Sequence, residues 1–371
     1  MDLLLNDDQR LYQKTFSDFV SEQCPFEMLR VLEKSDVGYS PEMWKKMAEL
    51  GFLGIGIDEK YGGAGGDAVD VTILYEQLGR ALLPSPHFST VILGAGLIAG
   101  LGTEAQKSDL LPKITSGNLI MGVALGGLEL HFNQNDIRYT KTANGFALTG
   151  KDNFVEYAKQ ADLLLVAAKD EANKGISLFC LPANAQGLQL TKLETMDRGK
   201  FYSLNLKGVS VSKESLLGGE GLASEALRQV QTRARVALAA KMMGACQGDF
   251  DLTLRYGKER VQFGQRIGLF QDIYFRLADM TTFIEGARLF CYRTAWKIAN
   301  GLPFEQDAAM LKSNMNEVYR YIADDCVQIH GGFGYMEESN PQFYYRRAIT
   351  DLVRLGATEE MLEEVAQGMK L

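Results

Sequence analysis

Cysteine and histidine are scarce in this chain of 371 residues, and their arrangement argues against a disulfide frame and a metal site. The cysteines are odd in number, contain no CxxC pair and stand in apolar or helical contexts, so we expect them to be reduced core residues. Two of the three histidines, His87 and His131, are isolated, and no two have metal-ligand spacing. The cysteines are Cys24, Cys180, Cys246, Cys291 and Cys326.

Long apolar runs are also missing. The longest, Val91–Gly102, is Gly-rich and about 12 residues long, whereas a helix that crosses a bilayer needs roughly 20. The first ten residues, MDLLLNDDQR, lack the basic and apolar regions of a secretory signal. We therefore expect a cytoplasmic protein without a membrane span.

Positive charge is in deficit. Against 39 Lys and Arg stand 47 Asp and Glu, which gives a formal net charge of -8 and argues against non-specific binding of nucleic acid. The apolar fraction of 46% is ordinary for a globular protein with a sizeable core. A phosphate-bearing ligand would need a local basic pocket.

The residue pattern changes twice along the chain, from helical to strand-like and back to helical, which predicts an α+β fold of three domains. Residues 1–118 read as helices broken by Gly and Pro, including a helix over Asp7–Glu22 capped by Asn6. Residues 119–220 show strand alternation, which predicts a mostly antiparallel β domain. Residues 221–371 are strongly helical, which predicts a helical bundle.

Local signals predict individual turns within these zones. Ser40 and Pro41 predict the start of a helix that Gly51 ends, and a further helix should begin near Ala68. The segment Glu59–Asp67, EKYGGAGGD, predicts a flexible loop. Asn144-Gly145 predicts a β-hairpin.

A first candidate site is the stretch Glu259–Gln271, ERVQFGQRIGLFQ. A helix breaks at Phe263-Gly264 and another begins, so Arg260 should lie beside a helix terminus. Its guanidinium could hold two phosphate oxygens, and Gln271 could reach the same ligand across the break. A surface Arg beside a turn is an equal alternative on these residues alone.

A second candidate is QIHGGFGY, Gln328–Tyr335. Gly331 and Gly332 lack side chains, so their backbone amides could approach a pyrophosphate closely. His330 fits a catalytic role by residue type, but a structural role within the loop is the favoured alternative.

Together the two motifs resemble the cofactor-holding motifs of the acyl-CoA dehydrogenase family, and the order of the three zones resembles that family over essentially the whole chain. The resemblance implies that these motifs hold the ADP half of FAD, usually the FAD of a neighbouring subunit. The residues it assigns to the cofactor are Arg260, Gln262, Phe263, Gln271, Gln328, Gly331 and Gly332.

The catalytic base of that family is absent from its usual positions. The resemblance places its Glu at Leu355, in a Glu-Gly-Thr motif, or in a second location at Leu254. Both residues are apolar. Asp351, Glu359 and Asp251 lie nearby in sequence, but helical spacing turns them away from these positions.

Two flavin-ring contacts also depart from the family pattern. Gly126-Gly127-Leu128 stands where the family has Thr-Glu-Pro and offers no hydroxyl. Glu156 and Tyr157 replace the Thr and Asn of a family strand, and a carboxylate at Glu156 would disfavour an anionic reduced flavin.

The retained and missing residues predict one subunit of a hetero-oligomer. Leu74–Ile98 and Tyr344–Gly356 also resemble the small subunit of pimeloyl-CoA dehydrogenase and its relatives. The resemblance implies oxidation of a saturated acyl-CoA to the 2-enoyl-CoA, with a partner paralogue that supplies the Glu in an α2β2 assembly and an electron-transfer flavoprotein as acceptor.

Two alternatives remain open. The chain could form a homo-oligomeric flavoprotein that performs non-redox or reductive acyl-CoA chemistry. It could also be a non-catalytic structural subunit.

Overall fold

The computed structural model describes residues 4–126, 136–170 and 175–369 in two compact units. Unit 1 comprises Met1–Val31, Asp67–Leu83 and Arg235–Leu371, and unit 2 comprises Leu32–Gly66 and Pro84–Ala234. The chain therefore enters each unit more than once.

Helices dominate the first and last parts of the described chain. They are α1 (Asp7–Gln23), α2 (Phe26–Lys34), α3 (Pro41–Glu49), α4 (Ala68–Arg80), α5 (Gly96–Leu101), α6 (Glu104–Thr115), α7 (Ala223–Glu259), α8 (Gln271–Ala299), α9 (Glu305–His330), α10 (Pro341–Val353) and α11 (Thr358–Gly368), with a π-helical segment at Phe88–Ala95.

Side-chain caps set several helix starts. Asn6, Ser40 and Asp67 each accept a backbone N–H in the first turn of α1, α3 and α4, which satisfies amides that have no partner within the helix. The predicted starts of these three helices are confirmed. Gly51, just past α3, has φ +77°, a conformation that glycine adopts at no steric cost.

Unit 2 contains a mixed sheet. Its strands are β1 (Met121–Ala124), β2 (Arg138–Thr142), β3 (Gly145–Glu156), β4 (Leu163–Asp170), β5 (Ile176–Pro182), β6 (Leu188–Leu193), β7 (Phe201–Ser212) and β8 (Leu216–Leu217). The order is β6-β7-β3-β2-β4-β5-β8, with β1 also paired to β4. Most pairs are antiparallel as expected, but β1 and β2 lie parallel to β4.

The predicted hairpin is confirmed, since β2 and β3 pair from Thr142 and Gly145 outward. The predicted flexible loop Glu59–Asp67 takes a different form. The Gly56 amide donates to the Gly65 carbonyl at 2.7 Å, and a Cβ at Gly63 would lie 2.0 Å from the Ile57 carbonyl oxygen. Glycine here permits close backbone packing, because any side chain would collide with the neighbouring segment.

Unit 1 is built around α9, which packs against α8, α10 and α11. One face of α9 buries Ala308, Leu311, Met315 and Tyr319 at the helical period, and each is fully buried. The expected order of helical region, sheet and helical bundle is confirmed. The divisions at residues 118 and 220 remain predictions.

Candidate functional site

The chain leaves α7 through a two-residue hairpin. β9 (Val261–Gln262) pairs with β10 (Gln265–Arg266), and Phe263 and Gly264 close the turn with φ +51° and +81°. Positive φ at both central residues is the signature of a type I′ turn, which favours Asn-Gly. A phenylalanine in this conformation is strained, at a cost of about 1 kcal/mol or more.

This strained residue faces solvent. Phe263 is 94% exposed, with only an edge contact to Phe270 at a centroid distance of 6.3 Å. A Cβ at Gly264 would meet no described atom within 4 Å. Phe263 is therefore a strained, exposed residue whose ring has one edge contact, to Phe270, among the described residues.

Arg260 lies at the base of the hairpin, directly after α7. Its side chain is exposed, and within the described ranges it makes no hydrogen bond or ion pair. Gln271, also exposed, is the first residue of α8, where backbone amides lack partners within the helix. An unpaired guanidinium near a helix N-terminus suits an anionic ligand.

The second motif ends α9 in an open surface. Gln328 is exposed, and Gly331 ends the helix with φ +60° and ψ -145°, a conformation reserved for glycine. A Cβ at Gly331 would meet nothing within 4 Å in the described structure, and one at Gly332 would meet only Tyr335 Oη at 3.9 Å. Ligand atoms could therefore approach both backbones closely.

His330 is held inside the motif. It is 5% exposed, and its Nδ1 lies 2.8 Å from the Cys326 carbonyl oxygen, so this nitrogen donates. Burial lowers the pKa of His330, which keeps the ring neutral. Its ring stacks on Tyr256 of α7 at a centroid distance of 4.2 Å and an interplanar angle of 22°. This contact joins the end of α7, which leads into the first motif, to the second motif.

Leu355 occupies a buried corner between α10 and α11. Its side chain is 1% exposed, its φ is +63°, and Gly356 follows with φ +122°. The carbonyl of Leu355 accepts from Arg235 Nε at 3.0 Å, and the Arg235 guanidinium also pairs with Glu364 at 2.7 Å. The usual base position therefore carries an apolar side chain on a firmly held backbone.

Lys312 of α9 completes this corner. The side chain is fully buried, and Nζ donates to the carbonyls of Asp351 and Gly356, each at 3.1 Å. It also bonds the Asn316 side chain and the Leu352 carbonyl. Burial lowers the pKa of Lys312 to about 7. Lys312 was not predicted from the sequence to be a site residue, although a lysine at a buried position in the helical period of α9 could have indicated it.

The acidic residues near the usual base positions are engaged or exposed. Asp351 is buried and pairs with Lys241 at 3.2 Å. Asp251 pairs with Arg80 at 2.6 Å, and Glu359 is exposed. Two of the three carboxylates are therefore held in ion pairs, and the third, Glu359, faces solvent.

Leu254 lies elsewhere in unit 1, on the wall of a cavity of about 390 Å³. The other walls are mainly apolar, with Phe250, Leu277 and Ala278, while Lys258 and Arg266 stand at the exposed side. Leu254 and Leu355 are thus in different settings, the first beside the hairpin and the second within the helical corner.

The positions expected to contact a flavin ring lie in unit 2. Tyr157 is 4% exposed, and its hydroxyl donates to the Gly38 carbonyl at 3.3 Å while its ring meets Tyr39 edge-on. The hydroxyl that could have replaced the family's Asn is therefore occupied within the unit. Gly126 donates its N–H to Asp152 at 2.9 Å, whereas Gly127 and Leu128 lie outside the described residues.

Residues 4–126, 136–170 and 175–369 contain neither a candidate membrane span nor a candidate metal cluster. No helix there is long and apolar enough to cross a membrane. No group of three or more His, Cys, Asp or Glu side chains in these ranges could hold a metal ion, and none of the five cysteines forms a disulfide bond.

Comparison with known proteins agrees with the fold. The N-terminal domain model of acyl-CoA dehydrogenase matches residues 6–118, and the C-terminal domain model matches residues 219–370. The short-chain specific acyl-CoA dehydrogenase of Megasphaera elsdenii is 31% identical over 379 residues, which cover 98% of both chains.

Two further relatives belong to complexes. The caffeyl-CoA reductase-Etf complex subunit CarC of Acetobacterium woodii is 30% identical over 385 residues, with 100% of both chains covered. A chain in the crystal structure of the ChsE4-ChsE5 complex from Mycobacterium tuberculosis superimposes with a TM-score of 0.91 at 26% identity, over 100% of this chain and 99% of that chain. The chain therefore belongs to the acyl-CoA dehydrogenase family.

Proposed function

We propose that this chain is a subunit of a FAD-dependent, cytoplasmic acyl-CoA dehydrogenase whose catalytic Glu comes from a partner paralogue. The assembly would oxidise a saturated acyl-CoA to the 2-enoyl-CoA. Members of the family bind FAD, which, when bound, supplies the acceptor for the two electrons that leave the acyl chain. An electron-transfer flavoprotein would then accept these electrons.

The observation that carries the proposal is the exposed, strained hairpin at Phe263 beside an unpaired Arg260. A chain that kept its cofactor to itself would gain nothing from presenting both side chains outward. Arg260 would bind the pyrophosphate bidentately, and Phe263 would offer a ring face to the adenosine. Gln262 and Gln271 would add polar contacts.

The residues present fit the ADP half of FAD and do not fit its ring. Gly331 and Gly332 leave open backbone for close approach, and Gln328 is exposed beside them. At the ring positions, Tyr157 is bonded inside unit 2, and Glu156 brings a carboxylate. This division supports binding of a cofactor whose reactive ring is held by the partner.

The absence of a carboxylate at Leu355 supports the need for a partner. Removal of the acyl α-proton requires a base that faces the substrate, and Leu355 offers only a buried alkyl side chain. The ChsE4-ChsE5 complex and the CarC subunit are relatives that are named as members of complexes, in agreement with a partnered assembly.

The test is FAD retention by the complex of this chain with a Glu-bearing paralogue. Arg260→Ala should weaken FAD binding by about 10- to 100-fold, because a hydrogen bond to a charged group contributes roughly 1.5–3 kcal/mol. Arg255→Ala is the matched control, since Arg255 is also exposed and unpaired within the described chain but lies outside both motifs. The chain expressed alone should hold little FAD and lack dehydrogenase activity.

Full activity of the chain alone would disprove the need for a partner. Full FAD content in both the Arg260→Ala and Arg255→Ala complexes would remove Arg260 from the cofactor site and favour a non-catalytic structural subunit.

A second candidate function is favoured by the apolar corner at Leu355. A homo-oligomeric flavoprotein could perform reductive or non-redox acyl-CoA chemistry without an α-proton base, and the relative CarC is named as part of a reductase complex. Stoichiometric FAD in the chain purified alone, unbleached by any saturated acyl-CoA, would support this alternative.

A further inference from the structure

A ring contact in unit 1 joins α7, the helix that leads into the first cofactor motif, to the second motif. The ring of Tyr256, in the last turns of α7, stacks on the ring of His330, the last residue of α9, at 4.2 Å. The rings are nearly parallel, at 22°. Both belong to helices that end directly at a motif.

The contact is anchored on both sides. His330 is buried, and the bond from its Nδ1 to the Cys326 carbonyl sets the orientation of the ring. On the other side, the backbone N–H of Arg260 donates to the Tyr256 carbonyl at 2.8 Å, so Arg260 continues the helical hydrogen-bond pattern one turn beyond Tyr256.

The position of each ring therefore determines the position of a ligand-binding group. Arg260 follows Tyr256 by one helical turn, and Gly331 follows His330 directly along the backbone. A change in the spacing of the two rings would move the guanidinium relative to the amides of Gly331 and Gly332.

We propose that Tyr256 and His330 are positioning residues that hold Arg260 and the Gly331–Gly332 amides at the separation needed to bind one pyrophosphate-bearing ligand. The inference rests on the proposed FAD function and adds to it a residue pair that neither motif contains in full. Groups fixed before binding lose less conformational entropy when the ligand arrives, so the pair should strengthen binding without touching the ligand.

A competing interpretation is that the ring pair only stabilises unit 1, as stacked aromatic pairs do in many proteins. The two interpretations differ in their coupling to Arg260. A positioning pair loses its effect on binding when Arg260 is absent, whereas a purely structural pair affects both backgrounds equally.

The experiment is a double-mutant cycle on the complex of this chain with a Glu-bearing paralogue, with FAD titrated into the apo complex and followed by flavin fluorescence. Tyr256→Leu should weaken FAD binding about tenfold, and Tyr256→Phe should retain the affinity because the ring remains. In the Arg260→Ala background, Tyr256→Leu should cause no more than about a twofold further loss.

His330→Leu removes the ring from the opposite side and provides a second variant if Tyr256→Leu does not fold. It should weaken FAD binding by a similar factor, while the thermal midpoint of the apo complex identifies any variant that is misfolded.

Each failure has a distinct meaning. If Arg260→Ala leaves FAD binding unchanged, the proposed cofactor function fails. If Arg260→Ala weakens binding but neither Tyr256→Leu nor His330→Leu does, only the positioning role fails. If the losses from Tyr256→Leu and Arg260→Ala add in full, the ring pair is structural and the inference is overturned.

Discussion

Two bulky residues of unit 1, Phe263 and Leu355, share a positive φ and differ in almost everything else. Phe263 is 94% exposed at the tip of a hairpin, whereas Leu355 is 1% exposed within a corner bonded by Lys312 and Arg235. At Leu355 the surrounding chain offsets the backbone strain. At Phe263 the described chain supplies only an edge contact to Phe270, and the ring remains open to the cofactor that we propose it binds.

The Leu355 corner and the hairpin also differ in whether they carry the side chains expected from the family pattern. The corner retains its backbone support although the carboxylate of the family is missing from it. The hairpin retains the exposed Arg, Phe and Gln side chains that we propose bind FAD.

The largest expected effect is a loss of stability at the Leu355 corner. Lys312→Met leaves the carbonyls of Asp351 and Gly356 without their buried donor and should lower the free energy of unfolding by about 3 kcal/mol or more. Urea unfolding of the variant measures the loss. Lys258→Met, at an exposed and unpaired lysine, should change the free energy of unfolding by less than about 0.5 kcal/mol. Equal effects at the two positions would show that Lys312 does not support the corner.

The same lysine should give the corner a pH dependence. Its pKa is about 7 in the folded chain against an ordinary value of 10.5, so between these values the unfolded chain binds more protons. Stability should therefore rise with pH in this window, by at most about 1.4 kcal/mol per pH unit, relative to Lys312→Met. Asp351 and Glu360 raise this pKa and Arg235 lowers it.

Urea unfolding of both proteins at pH 7, 8 and 9 measures this slope. Parallel curves for the wild type and Lys312→Met would show that Lys312 does not titrate in this window.

A smaller change in the free energy of unfolding, in this case an increase, is expected at the hairpin. Phe263→Asn places Asn-Gly in the turn and should raise the free energy of unfolding by about 1 kcal/mol. FAD retention by the partnered complex should fall at the same time because the ring is lost. Chemical unfolding and flavin absorbance measure the two quantities.

Phe263→Leu is the matched control for the hairpin. Leucine keeps the strained backbone and removes the ring, so it should reduce FAD retention without a gain in stability. If Phe263→Asn gave no gain, the turn would not be strained, and if it kept full FAD retention, the ring would have no role in binding.

The sequence predicted the parts of the fold that depend on short-range chemistry. Asn6, Ser40 and Asp67 cap helices where their side chains reach the first-turn amides, and the β2–β3 hairpin forms near Asn144. Arg260 and Gln271 were proposed from the helix break between them, which local patterns mark well, whereas Gln328 was assigned by the resemblance to the family motif.

The remainder depends on contacts between distant parts of the chain. The stacking of Tyr256 on His330 and the bonds of Lys312 to the end of α10 join separate helices, and no local pattern records such a pairing. The close packing of Gly63 against Ile57, within the segment 59–67 that the sequence predicts to be flexible, was missed for the same reason. Composition alone does not distinguish a packed glycine from a flexible one.

The exposed hairpin also bears on the amount of protein in the cell. Phe263 and Val261 on the hairpin, with Leu269, Tyr274 and Phe275 just after it, present apolar side chains to water, and such surfaces favour aggregation and recognition by quality-control proteases. If a partner covers them in the assembly, free copies of this chain would be short-lived and the abundance of the subunit would follow that of its partner. The residues that we propose bind the cofactor would then also enforce balanced subunit stoichiometry.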